Sequence, residues 1–112
     1  MTDAADKYLL VLTNLPDRDS ALKLATTLVE KRLAACVNVL DGCTSVYRWE
    51  DTLQTEREIP LLIKTHVQRF ASLQEAILAL HPYELPEVIA LPLDRGLEPY
   101  LEWVGAEVDI SD

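Results

Sequence analysis

A chain of 112 residues, 49% hydrophobic and 26% charged, has the size and balance of a single globular domain over 1–112. Its net charge of -9 sets 19 acidic side chains against 10 basic ones, and a surface of that sign repels phosphates and argues against a nucleic-acid partner. No apolar run approaches the roughly 20 residues of a membrane helix, and MTDAADKYLL lacks a basic segment followed by an apolar one, so a cytoplasmic protein with no membrane partner is expected.

Residues 1–6 are expected to be flexible. The run KYLLVLTNL, residues 7–15, is almost wholly apolar and predicts a buried strand closed by Pro16. Asp17, Asp19 and Ser20 then supply side-chain oxygens for capping, and Ala21, Leu24, Ala25, Leu28 and Val29 recur at helical spacing, which predicts a helix over 18–33. CVNVLDGCTSVYRWE, residues 36–50, is rich in β-branched and aromatic residues and predicts a strand, with a bend or bulge at Asp41-Gly42. Glu50-Asp51 is a turn. Residues 52–65 alternate and then become wholly apolar, completing a hairpin in which Pro60 implies a bulge or an edge.

Phe70, Leu73, Ile77 and Leu80 share a stripe and predict a helix over 67–80, ended by Pro82. VIALPL, residues 88–93, predicts a short strand. Leu97, Tyr100, Leu101 and Val104 predict a C-terminal helix over 97–108. The order β-α-β-β-α-β plus a final helix predicts an α+β fold, the ferredoxin-like split βαβ sandwich with helices on one face of an antiparallel sheet. Each hairpin arm of about 14 residues would reach roughly 45 Å at ~3.3 Å per residue, twice the length of the outer strands. The hairpin must therefore project, and a projecting two-stranded ribbon with open edges predicts a homo-oligomer.

Four stretches, RLAACVNVLDGCTSVYRWED (residues 32–51), EREIPLLIKT (56–65), HPYELPEV (81–88) and YLEW (100–103), together resemble the CutA family, and the likeness runs from VLTNLPD at residue 11 to Trp103. The resemblance implies a homotrimer assembled through the long hairpins. It implies a role in copper and divalent-metal tolerance for bacterial members and in acetylcholinesterase anchoring for mammalian ones. The trimer of that family is similar to PII-type signalling proteins, which implies a small-molecule effector in clefts between subunits. A stable scaffold for a protein partner is the third reading. No catalysed reaction comes with the resemblance.

The family's metal reading rests on a first-strand cysteine and a pair of histidines, and here Thr13 and Leu80 stand at two of those positions. His81 remains as a candidate metal ligand, against the simpler reading of a histidine at a helix C-terminus, where the dipole favours its cation. Cys43 is a soft-ligand candidate, and Cys36 reads as a small buried hydrophobe. Their spacing is neither CxxC nor a zinc ribbon, so both are expected to be free thiols. No cofactor is required; Cu(II) or another divalent metal is the candidate ion. His66 reads as a solvated turn residue. Tyr47, Trp49 and Leu53 are assigned to the trimer interface, since Tyr47 and Trp49 are two apart on a strand and share a face. Arg48, Glu58, Lys64, Tyr83 and Glu87 are assigned to a polar intersubunit cleft. Glu84 and Glu87 could pose as a carboxylate pair, but there is no nucleophile elbow or HExxH, and three glycines cannot supply a Gly-rich phosphate loop, so the chain reads as no enzyme.

Overall fold

Strand β1 (Tyr8–Leu15) lies inside an antiparallel sheet ordered β2-β4-β1-β5, between the long β4 (Thr52–His66) and the short β5 (Ile89–Pro92). The computed structural model describes residues 7–110, so the expectation for residues 1–6 lies outside the described residues. Helix α1 (Arg18–Glu30) follows β1, β2 (Cys36–Val39) and β3 (Cys43–Trp49) precede β4, a 3-10 turn at Val67–Arg69 leads into α2 (Phe70–Leu80), and α3 (Glu98–Glu107) closes the described chain. An antiparallel sheet with three helices is the α+β class expected.

The alternation of β1 and β4 decides where the core sits. Val11, Thr13 and Leu15 are buried on one face of β1, in register with Ile63, Leu61 and Ile59 of β4. Leu24 and Leu28 of α1 and Leu73 and Ile77 of α2 cover that face. Full burial of each such aliphatic side chain contributes about 1.5–3 kcal/mol. The other face carries Leu10, Leu12 and Leu62, only partly buried, together with Ile89 and Leu91, which are about half exposed.

The ferredoxin-like pattern puts helices on one face of the sheet, and the additional C-terminal helix α3 lies elsewhere. Leu9 packs into the main core, whereas its neighbour Tyr8 packs with Val104, Val108 and Ala35, so α3 lies against the opposite face at the sheet's end. Two arginines hold its C-terminus. Arg69 donates to the carbonyls of Val108 (2.7 Å) and Asp109 (2.6 Å), and Arg32 donates to the carbonyl of Glu107 (3.1 Å). These are carbonyls that a helix end leaves without intrahelical partners.

Helix α1 starts where Asp17 accepts from the Ser20 N–H at 2.8 Å. It stops three residues before the predicted end. Arg32 takes a left-handed φ of 56°, Leu33 N–H bonds to Leu28 O and Arg32 N–H to Val29 O, the Schellman closure of a helix.

The predicted first arm of the hairpin is broken in two. Val39 pairs with Leu61 and Cys43 with Glu58, so Leu40, Asp41 and Gly42 stand opposite only Ile59 and Pro60. That is one extra residue, a β-bulge, at the point where Pro60 has no N–H to give the ladder. Gly42 supports it with a φ of 147° that side-chain-bearing residues rarely adopt. Beyond the bulge, β3 and the first seven residues of β4 pair only with each other, closed by a two-residue turn in which Glu50 and Asp51 both have positive φ. This ribbon gives the molecule its long axis, 47 Å against 25 and 23 Å.

Candidate functional site

The bulge sets which side chains share the base of the hairpin. Val37 and Val39 face the helices with Ile63 and Leu61. One inserted residue inverts that parity, so Cys43, Ser45, Tyr47 and Trp49 share their face with Glu58, Glu56, Gln54 and Thr52 instead. Residues 81–88, between α2 and β5, contain Pro82 and Pro86 and form no regular element. They run beside that face and enclose with it a groove of about 920 Å³.

Two hydrogen bonds fix the loop at His81, which is 8% exposed. Its Nδ1 accepts from the Tyr83 backbone N–H at 3.1 Å, so the ring proton is on Nε2, which donates to the carbonyl of Asn14 at 2.6 Å. Asn14 also reaches further along the loop, donating from Nδ2 to Glu87 Oε1 at 3.3 Å. Held in this way, and with its ring 4.8 Å from that of His81, Tyr83 donates its hydroxyl to Glu58 Oε2 at 2.9 Å. Burial, then the hydrogen bond and the negative charge of Glu58, push the Tyr83 hydroxyl well above its ordinary range, so it stays a donor. Glu58 is 6% exposed.

Of the predicted cleft residues, Glu58, Tyr83 and Glu87 therefore meet in one groove, and Tyr47 and Trp49 of the predicted interface line its wall. Arg48 and Lys64 do not join them within one subunit. Arg48 is paired in register with Leu53 on the opposite face of the ribbon. Lys64 lies six residues along β4 from Glu58, ~20 Å away by strand rise, and donates to Asn38 Oδ1. Cys43 is half-buried with Ser45 Oγ at 3.7 Å, and Cys36 is half-buried beside Tyr100; both are free thiols. Leu53 is 64% exposed. His66 is not a solvated turn residue. It is the last residue of β4, buried against the edge of Tyr8, and its Nδ1 accepts from the Gln68 N–H. Among the described residues no three His, Cys, Asp or Glu side chains converge to hold a metal ion, and no helix is long and apolar enough to cross a membrane.

Asn14 and Ser45 line the groove unforeseen. Asn14 had a trace in the sequence. It breaks the apolar row that Leu10 and Leu12 begin on the open face of β1. Ser45 had none, because its face depends on the bulge.

Comparison with known proteins places this geometry among relatives. Residues 9–107 match the model of the family described as CutA1 divalent ion tolerance protein. A divalent-cation tolerance protein CutA of Thermus thermophilus is 45% identical over 95 residues, 85% of this chain and 92% of that protein. The crystal structure of CutA from Xylella fastidiosa superposes with a TM-score of 0.88 at 44% identity, covering 93% of this chain and 99% of that one. The periplasmic divalent cation tolerance protein CutA from Archaeoglobus fulgidus gives the same TM-score, 0.88, at 32% identity, covering 90% of this chain and 98% of that one.

Proposed function

The chain belongs to the CutA1 divalent ion tolerance family, and from that premise we propose that it serves tolerance to divalent cations, copper among them, as a cytoplasmic homotrimer of ferredoxin-like subunits with no catalysis of its own. The observation that carries the reading is the family match across residues 9–107.

Support for assembly comes from the hairpin itself. One face carries Tyr47, Trp49, Glu56 and Glu58; the other carries Val46, Arg48, Leu53 and Arg57. Each face is part apolar and part charged, with opposite signs. Val46 is 63% exposed and Tyr47 and Trp49 are each 40% exposed in one subunit, although residues 81–88 run beside the face of the two aromatics. Such a two-faced element favours head-to-tail contact, in which one copy's acidic face meets the next copy's basic face, and a closed ring satisfies every copy equally.

Direct copper binding has less support. Both ring nitrogens of His81 are engaged, so coordination there would first break a hydrogen bond to Asn14 or Tyr83. The Cys43 thiol has Ser45 Oγ at 3.7 Å and Glu58 as its cross-strand neighbour, and among the described residues no third ligating side chain completes a metal-binding group there. The donors of one subunit do not fit a preformed copper site, and a tight one would need donors from neighbouring copies. Titration of the assembled protein with Cu(II), followed by calorimetry, tests the point. Binding that drops at least tenfold in His81→Ala or Cys43→Ala supports a site at those residues. Equal, weak binding in wild type and both variants removes them as ligands.

A second reading is favoured by the groove. Its volume suits a small effector, and an oligomer could bring Arg48 and Lys64 of another copy toward Glu58, Tyr83 and Glu87. A PII-like sensing trimer would use such a cleft. The scaffold reading, with a protein as partner, would use the same exposed ribbon.

A further inference from the structure

We propose that Glu58 is completed in trans: its counter-charge is the guanidinium of Arg57 on the next copy in the ring, and that copy's Arg48 lies over Tyr47 and Trp49. The proposal rests on the head-to-tail assembly and names the contact that sets its register.

Glu58 is the starting point. A carboxylate more than nine-tenths buried needs a counter-charge or several donors to offset its lost hydration. Within one subunit it accepts from the Tyr83 hydroxyl and, among the described residues, has no cation partner. No Lys, Arg or His lines the groove beside it among the described residues. The complementary defect lies on the other face of the ribbon. Arg48 and Arg57 are exposed there, and neither has an ion pair among the described residues. Successive residues of a strand point to opposite faces, so Arg57 points away from the Glu58 of its own chain.

Height decides between the two arginines. A rotation axis keeps each residue at one height in every copy, so ribbons standing along the axis of a ring meet level with level. Arg57 adjoins Glu58 in β4, and its guanidinium lies against Gly42, where a Cβ would come within 2.8 Å of it. Gly42 precedes Cys43, the cross-strand neighbour of Glu58. Cation and carboxylate therefore stand at the same level on opposite faces. Arg48 is paired with Leu53, five residues and ~17 Å nearer the tip. At that level the other face carries Tyr47 and Trp49, and aromatic faces attract a guanidinium. One register thus serves both arginines. An offset of five residues would set Arg48 on Glu58 and carry Arg57 to the level of Leu62, which offers it no charge.

The test is light scattering of the full chain, diluted at a fixed urea concentration that leaves the wild-type oligomer part dissociated, with circular dichroism to follow folding. Glu58→Gln, which keeps an acceptor for Tyr83, and Arg57→Gln should each raise the dissociation constant at least tenfold. Glu58→Gln/Arg57→Gln should dissociate no more readily than the weaker single variant, because each single variant leaves one charge unpaired in the interface. Arg48→Gln should add its effect to that of Glu58→Gln without coupling. Additive effects of Glu58→Gln and Arg57→Gln overturn the pair and leave the assembly. So does an Arg57→Gln oligomer as tight as wild type, a result that does not depend on how Glu58→Gln folds. Coupling of Glu58→Gln to Arg48→Gln or Lys64→Gln instead assigns the counter-charge to that residue, and the proposal falls. A wild-type chain that scatters as a monomer without urea overturns the pair and the assembly together.

Discussion

Two threonines on the same buried face of the sheet show how much a single hydroxyl depends on its surroundings. Thr65 is fully buried, and its Oγ1 donates to the Leu33 carbonyl at 2.7 Å. Thr13 is 1% exposed, and its Oγ1 has no partner. An unsatisfied buried hydroxyl costs about 1–3 kcal/mol, whereas a methyl group in the same place costs nothing in lost hydration. Thr13→Val should therefore raise stability by about 1 kcal/mol in urea unfolding. A loss of stability would mean that the hydroxyl has a partner in solution. Residue identity alone could not separate these two threonines. Nor could it show that His81 would be tied at both nitrogens, because Asn14 is 67 residues away in the chain. The Asn14–His81–Tyr83–Glu58 chain joins β1, the 81–88 loop and β4, and such long-range polar contacts leave no periodic trace in a sequence.

At the scale of elements, most of the fold was legible. β1, β4 and the helices follow periodicity of two or 3.6 residues, which any core-facing segment must carry. The misjudged ends have local causes. Helix α1 stops at Glu30 because the chain turns left-handed at Arg32, a position where glycine is usual and arginine gives no warning. The bend at Asp41-Gly42 was visible, but its effect on parity was not, so the aromatic face could not be assigned to the groove. Helix α3 was predicted as a helix, but its side of the sheet was not legible. Its placement depends on Arg69, whose two carbonyl contacts anchor residues 108 and 109. Arg69→Ala should lower global stability by about 1–2 kcal/mol, and amide exchange should speed up in Glu98–Glu107 more than in β1 or β4. Uniform acceleration across the chain would place the clamp's effect elsewhere.

For the whole molecule, the dominant fact is shape: a packed body at one end and an uncovered ribbon at the other, 47 Å along the axis that contains both. Isolated two-stranded ribbons are marginal in water, so this one calls for a neighbour. Light scattering of the wild type should give three times the chain mass of 12.6 kDa, and Val46→Asp/Leu53→Asp should reduce it to one. A wild-type monomer that unfolds at the same temperature at every concentration would contradict assembly. The chain length of the arms made the projection readable in advance, as alternation along β4 did for the acidic and basic sides, Glu56 and Glu58 against Arg57; what was not readable is the extra residue at 40–42, which sets different faces for the odd-numbered side chains of β2 and β3. That residue works on the arm as one inserted letter works on a reading frame. Every side chain downstream keeps its name and changes the side it is read on. Loops elsewhere can lengthen or shorten without altering what the molecule presents. The turn at Glu50-Asp51 holds Tyr47 and Trp49 on the side of Glu58, and the extra residue lets the same odd-numbered series that faces the helices in β2 face away from them in β3.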